Sequence, residues 1–287
     1  MRLRENKKIN PRTVILIVWL CLIAVLVLAI VIIGLPHGEK SETIKEVMRD
    51  SVLHETNRIS LFGLQVNPAL ISAYIVTGVL LLFALILRIF VIPRFKYVPG
   101  RFQTAVEAVT EFFTGLADKN SPHKPGFVGA YIFSVGLYIF FGTLFELFGI
   151  QAVTTHGTGI SLPAPVADIN GAIAVGVTSY LVILFAGFIV RGVKGGLGVL
   201  KDFSLPVSMS FRLFGALLSG LLVTELVYYY TALSFVLPVI VGVLFTLLHA
   251  LIQTYVLTTL VSIFYGEATE PKLKKEKTKK IKKGENQ

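Results

Sequence analysis

One cysteine and one tryptophan in 287 residues leave no thiol pair for a disulfide and no thiolate set for a metal cluster. Charge is scarce as well: Asp, Glu, Lys and Arg make up 15% of the chain, against roughly 25% in an ordinary soluble domain. There is no glycine-rich nucleotide loop, no Gly-x-Ser-x-Gly serine and no His-Glu-x-x-His pair, which removes the motif-borne routes to nucleotide, serine and metal-hydrolase chemistry. No internal repeat stands out. What fills the chain instead is apolar, 54% of it, with a mean hydropathy of +0.75. This is the composition of a membrane protein.

The net charge of +10 raises the question of nucleic acid, and its position answers it. Residues 270–287 hold eight lysines against three glutamates, and Arg2, Arg4, Lys7, Lys8 and Arg12 stand against Glu5 before the first apolar run. Charge placed beside membrane spans acts as a retention signal and meets anionic lipid. Membrane lipids are therefore expected partners and nucleic acid is not. His37, His54 and His156 fall in loops and form no metal site, and no cofactor is expected.

Val14–Ile33 is an unbroken apolar run, long enough for a bilayer core of about 30 Å. No small-x-small cleavage site follows it, so it reads as a retained span rather than a signal peptide. The next apolar stretch covers 68–92 and stops at Pro93. Over 101–118 a helical period gathers Phe102, Ala105, Val109, Phe112, Phe113 and Leu116 on one face, away from Gln103, Glu107 and Glu111. That pattern predicts a helix on the membrane surface or packed under the spans. Further spans are expected at 127–150 and 172–190, the latter ended by the glycine-rich RGVKGGLG. Two long segments follow, 203–230 and 234–265, extending about 42 and 48 Å as helices, so they must tilt, bend or run along the interface.

Lysine and arginine place 1–13, 93–126, 191–202 and 266–287 inside and 34–67, 151–171 and 231–233 outside. Two of the outer segments carry neither Lys nor Arg; only 34–67 dissents, with Lys40, Lys45, Arg49 and Arg58. Both termini are then cytoplasmic. The organisation is a basic N-terminus at 1–13, an additional span at 14–33, an outer segment at 34–67, a membrane domain at 68–268 and a basic tail at 269–287.

A charge at the bilayer centre costs roughly 2.5–3.5 kcal/mol even on the lenient insertion scale, so intramembrane charges mark function. Arg88 and Lys201 lie at span ends and can snorkel. Glu146, Arg212, Glu225 and His249 lie deeper, Gln253 adds an amide, and Asp168 with Asn170 marks the entry to the 172–190 span. Arg212 cannot give up its proton, so it cannot relay one; it can attract a carboxylate and keep water paths apart. Gly215, Ala216, Ser219 and Gly220 share its side of the helix, and such small residues admit another helix closely. In the last span Thr246, His249, Gln253 and Leu260 fall near one side, and a hairpin brings His249 and Gln253 toward Arg212. Histidine is a side chain that can serve an ion path directly, and His249 is a candidate for that role, with a structural histidine as the alternative. Glu225 lies nearer the outer side, where it can line an aqueous access path.

Four segments in order resemble the membrane-embedded a subunit of the F-type ATP synthase. The strongest is PVSMSFRLFGALLSG, with Arg212 in the place of the family's stator arginine. IQTYVLTTLVSIFYGEA puts Gln253 on the family's glutamine. VPGRFQTAVEAVTEFF and PAPVADINGAIAVG follow the family more loosely, the latter carrying Asp168 and Asn170. The resemblance implies an all-α polytopic membrane protein: a five-span core with a long tilted C-terminal hairpin, plus the additional N-terminal span. It implies a non-catalytic F0 stator subunit of a bacterial-type cell membrane, with two half-channels against a rotating ring of c subunits. Ions, protons by default, would neutralise a ring carboxylate from one side and leave on the other, with Arg212 between the paths. The other implied partners are b-type peripheral stalk subunits and, through the stator, the F1 sector. The chain departs from the pattern at Ala216, Leu221 and Thr246, where the family carries polar residues. Glu225 and His249 each stand about one turn beyond such a position. Alternatives are a divergent a subunit that assembles but conducts weakly, and a secondary transporter, for which paired repeats are missing.

Overall fold

Asn67 opens the first helix. Its side-chain oxygen accepts from the Ala69 amide at 2.9 Å, and Pro68 takes the first helical position, where no intrahelical N–H bond is needed. In this computed structural model, which describes residues 59–61, 64–123, 125–153, 159–229 and 237–271, helix α1 runs Pro68–Ile86 and passes into a π turn, Leu87–Val91, and a 3-10 turn, Ile92–Arg94. Pro93 cannot donate to the carbonyl four residues back, which accounts for the loosened end. The expected span Val14–Ile33 and the tail beyond Pro271 lie outside the described residues.

Helix α2 spans Arg101–Asn120, and α3 spans Pro125–Leu144 with a 3-10 extension, Phe145–Phe148. Gly149, at φ 55°, stops that extension in the left-handed region. Then come α4 (Ile169–Arg191), α5 (Val193–Leu200), α6 (Ser204–Tyr229) and α7 (Leu237–Thr269). The all-α class therefore holds, with two small antiparallel ribbons added. Strands β1 (Ile59–Leu61) and β2 (Leu64–Val66) pair Ile59 with Val66; β3 (Gln151–Val153) and β4 (Gly159–Ser161) pair Gln151 with Ser161.

Among the described residues four helical stretches are long and apolar enough to cross a membrane: Pro68–Arg94, Gly126–Phe148, Ile169–Arg191 and Gly242–Thr269. The remaining long helix, α6, is 26 residues and packs along α4 and α7. The main core lies where α3, α4, α6 and α7 meet, around Ile132, Ile139, Ile183, Met209, Leu213 and Val261. A smaller core of Ile59, Val76, Phe145 and Leu162 ties β1 to the start of α1 and the end of α3.

Three details go beyond these expectations. The broad apolar face of α2 is only partly used: Phe113 and Ala117 are buried, whereas Phe102, Val109 and Phe112 stay about half exposed. The glycine-rich stretch after α4 is itself the helix α5, folded back so that a Cβ on Gly195 would collide with the carbonyl of Gly187. Gly192, at φ 66°, ends α4 as expected, while Gly195 and Gly196 serve close packing. Finally, the last helix runs past Tyr265 to Thr269. Arg191 explains the extension, because its Nη1 donates to the Glu267 carbonyl at 3.2 Å and so satisfies one of the last helical acceptors.

Candidate functional site

Helix α6 has two faces. Met209, Leu213 and Leu217 are buried against the bundle, while Phe211, Arg212, Gly215 and Ser219 are exposed. Residues 212, 215 and 219 recur at helical spacing, so the arginine and the small residues form one outward stripe. Nothing lies within 4 Å of a Cβ built on Gly215. The inward side is the reverse: a Cβ on Gly176 of α4 would collide with Ser210 Oγ and come to 3.0 Å from the Pro206 carbonyl. The Ser210 hydroxyl itself donates to that carbonyl at 2.7 Å. Close approach of α4 thus fixes the rotation of α6 and turns Arg212 outward.

Helix α7 supplies the backing. Gln253 is 6% exposed, and its Nε2 donates to the main-chain carbonyl of Arg212 at 3.3 Å. Next to it, Thr254 Oγ1 donates to the Gly136 carbonyl of α3 at 3.5 Å. The amide therefore joins the two helices at the level of Arg212 and leaves the guanidinium to the outward face. His249 stands one turn before Gln253 on α7, where its Nδ1 would lie 3.4 Å from a Cβ on Gly220 and its ring tilts against Phe245 at 5.9 Å. It faces α6 at Gly220, two turns beyond Arg212, rather than at the level of Arg212.

The other polar residues fall elsewhere. Glu146 is half-buried in the 3-10 turn after α3, and that turn packs on α7. Asp168 precedes α4 without capping it by a side-chain bond. With Asn170 and Asn67 it lines a cleft of about 590 Å³ between α1, α3 and α4, which Tyr131, Ser134 and Thr178 continue deeper. Neither Arg212 nor Gln253 reaches this cleft. Of its lining groups, the Tyr131 hydroxyl is hydrogen-bonded to the buried Ser179 Oγ at 2.9 Å. Sequence reasoning missed these groups, although Tyr131, Ser134 and Tyr138 already stand at helical spacing. A stretch of the expected outer loop 151–171 is also buried, from Leu162 to Val166. The side chain of Glu225 lies outside the described residues. Among those described, no group of three or more His, Cys, Asp or Glu is placed to hold a metal ion.

The chain is similar to known proteins. The model of a family described as ATP synthase A chain matches residues 71–266, from within α1 to within α7. A protein named ATP synthase subunit a, chloroplastic, from Stigeoclonium helveticum is 30% identical over 232 residues, covering 71% of this chain and 85% of that one. One named ATP synthase subunit a, from Cereibacter sphaeroides, is 25% identical over 187 residues, covering 61% of this chain and 72% of its own.

Proposed function

This chain belongs to the ATP synthase A chain family, and from that premise we propose that α6 presents Arg212 to a rotating ring of c subunits. It is a membrane subunit of ATP synthase, the ion-translocating stator component of the F0 sector rather than the catalytic part. The observation that carries the assignment of Arg212 is its position: a permanent cation on an exposed stripe of small residues, with the main chain behind it held by Gln253. The family match also favours this reading over a secondary transporter.

The mechanism follows from charge in a poor dielectric. A ring carboxylate travels through lipid only when neutralised, since an isolated charge there is costly. As it comes opposite Arg212, attraction to the guanidinium favours its ionised form and releases the ion. The guanidinium keeps its own charge throughout, so it separates the two paths without conducting. The membrane potential contributes about 2.3 kcal/mol per charge per 100 mV.

The outer path uses the cleft with Asp168 and Asn170 at its mouth and, beyond it, Glu146 in the turn after α3 with His249 and Glu225 on the outer halves of α7 and α6. The inner path opens along the α6 stripe. In this arrangement α6 is the fourth span of the 68–268 domain, 14–33 is a further span, and both termini are cytoplasmic in a bacterial-type membrane. The chain makes no bond itself: b-type subunits tie it to F1, where ATP chemistry occurs.

The test is ATP-driven acidification in inverted vesicles carrying the assembled complex, comparing wild type with Arg212→Ala at matched assembly. Pumping should vanish while ATP hydrolysis and ring association persist. Undiminished pumping would make Arg212 a structural charge.

A further inference from the structure

Helix α1 is packed unlike the other membrane helices. Only 6% of its most apolar stretch is buried, against 33–39% for the other three crossing helices. Alongside it, between α1, α2 and α3, runs an apolar groove of about 480 Å³. Thr77, Ala84, Ala105 and Ser134 keep parts of its lining small, and Leu81 and Val109 wall it at 66% and 43% exposure. Small residues beneath larger walls are what a transmembrane helix needs in order to seat closely on its neighbours.

We propose that the groove holds this chain's own segment Val14–Ile33, packed antiparallel to α1. The chain outside the described residues supplies the occupant, and the point where it enters them supplies the direction. Ile59 is 8% exposed and sits in the small core with Val76, Phe145 and Leu162. The chain therefore arrives at the end of the bundle where α1 begins. A crossing segment joined to it through residues 34–58 must leave the bilayer at that same end, and so runs opposite to α1. Its twenty residues give a helix of about 30 Å, enough to follow α1 across the bilayer. A register that sets Ile33 beside Pro68 brings Cys21 level with Leu80 and Leu81. The α1 burial deficit and the groove have then one cause.

Cys21 is the chain's single cysteine and serves as the native probe. Leu81→Cys and Thr77→Cys place a partner thiol on the groove side of α1 one turn apart. Val79→Cys, on a residue 60% exposed, places one about 200° around the helix from Leu81 at the same depth. Each variant is made in the full chain within the assembled complex, with a protease site inserted in 34–58, and treated with a membrane-permeant oxidant. Retained ATP-driven pumping verifies assembly. After cleavage, a non-reducing gel should show the two halves joined in the Leu81→Cys or Thr77→Cys protein at least five-fold more than in the Val79→Cys protein. Equal joining at Val79, or joining in none of the three, would overturn the proposal; the latter would leave the groove to lipid chains or another subunit. Joining only between differently tagged copies would overturn it in favour of a second copy of this chain.

Discussion

Gln253 grips Arg212 by the main chain: its Nε2 donates to the Arg212 carbonyl at 3.3 Å, and the guanidinium is left to the exposed face. The pair is a mounting rather than a charge relay. The carbonyl is already a helical acceptor, so the extra bond contributes about 1 kcal/mol or less to stability. Its larger effect is on the relative position of α6 and α7.

Gln253→Leu should therefore leave assembly and thermal stability nearly unchanged while lowering ATP-driven pumping several-fold. Gln253→Glu should lower it further, because a carboxylate there draws the guanidinium back toward α7. Equal pumping by wild type and both variants in inverted vesicles would show that the contact plays no part in coupling.

Gly176 and Gly215 make a contrasting pair. A Cβ on Gly176 collides with Ser210, whereas one on Gly215 meets nothing within 4 Å. Gly176→Ala should destabilise the subunit by about 1–3 kcal/mol, the usual cost of overpacking, with Ser210→Gly restoring part of it. Gly215→Leu should leave the subunit's unfolding temperature alone yet impair rotation-coupled pumping, because it fills space that the proposed function gives to the ring. A fall in unfolding temperature on Gly215→Leu in the isolated subunit would count against an open α6 stripe.

Asp168 lines the mouth of the cleft without capping α4. Asp168→Asn should keep the fold while reducing passive proton flux through F1-stripped membranes a few-fold, since a mouth carboxylate raises the local cation concentration. Stopped-flow dye quenching measures this. An unchanged flux would remove the cleft from the outer path.

Arg191 joins the end of α4 to the Glu267 carbonyl of α7 at 3.2 Å. Arg191→Ala should expose the last turn of α7, seen as faster amide hydrogen exchange at residues 264–269 with the exchange of α6 unaltered. Identical exchange in the two proteins would show that the cap is dispensable.

Much of this was legible in the sequence because lipid makes polarity expensive. Arg212, Gln253 and His249 announced themselves by standing in apolar runs, and five of the six expected spans correspond to α1, α3, α4, α6 and α7; Val14–Ile33 lies outside the described residues. What stayed hidden depends on which atoms meet. RGVKGGLG looks like a break because isolated glycine disfavours helix, and only the face of α4 reveals why α5 needs Gly195. The buried turn from Leu162 to Val166 looks like a loop for the same reason: prolines punctuate a sequence whether or not the bundle closes over them. Tyr131 and Ser179 lie 48 positions apart, and no local pattern could have paired them.

The tight seams between α4, α5 and α6 have a mechanical meaning. Where Gly187 faces Gly195, and Gly176 faces Ser210, there is not even room for a methyl group. Packed interiors have low compressibility and transmit strain, so a sideways push on the α6 stripe cannot be absorbed by a small slip between helices. The three must shift as one plate. The surface proposed to meet a turning rotor is thereby made stiff by glycine, the residue more often associated with give.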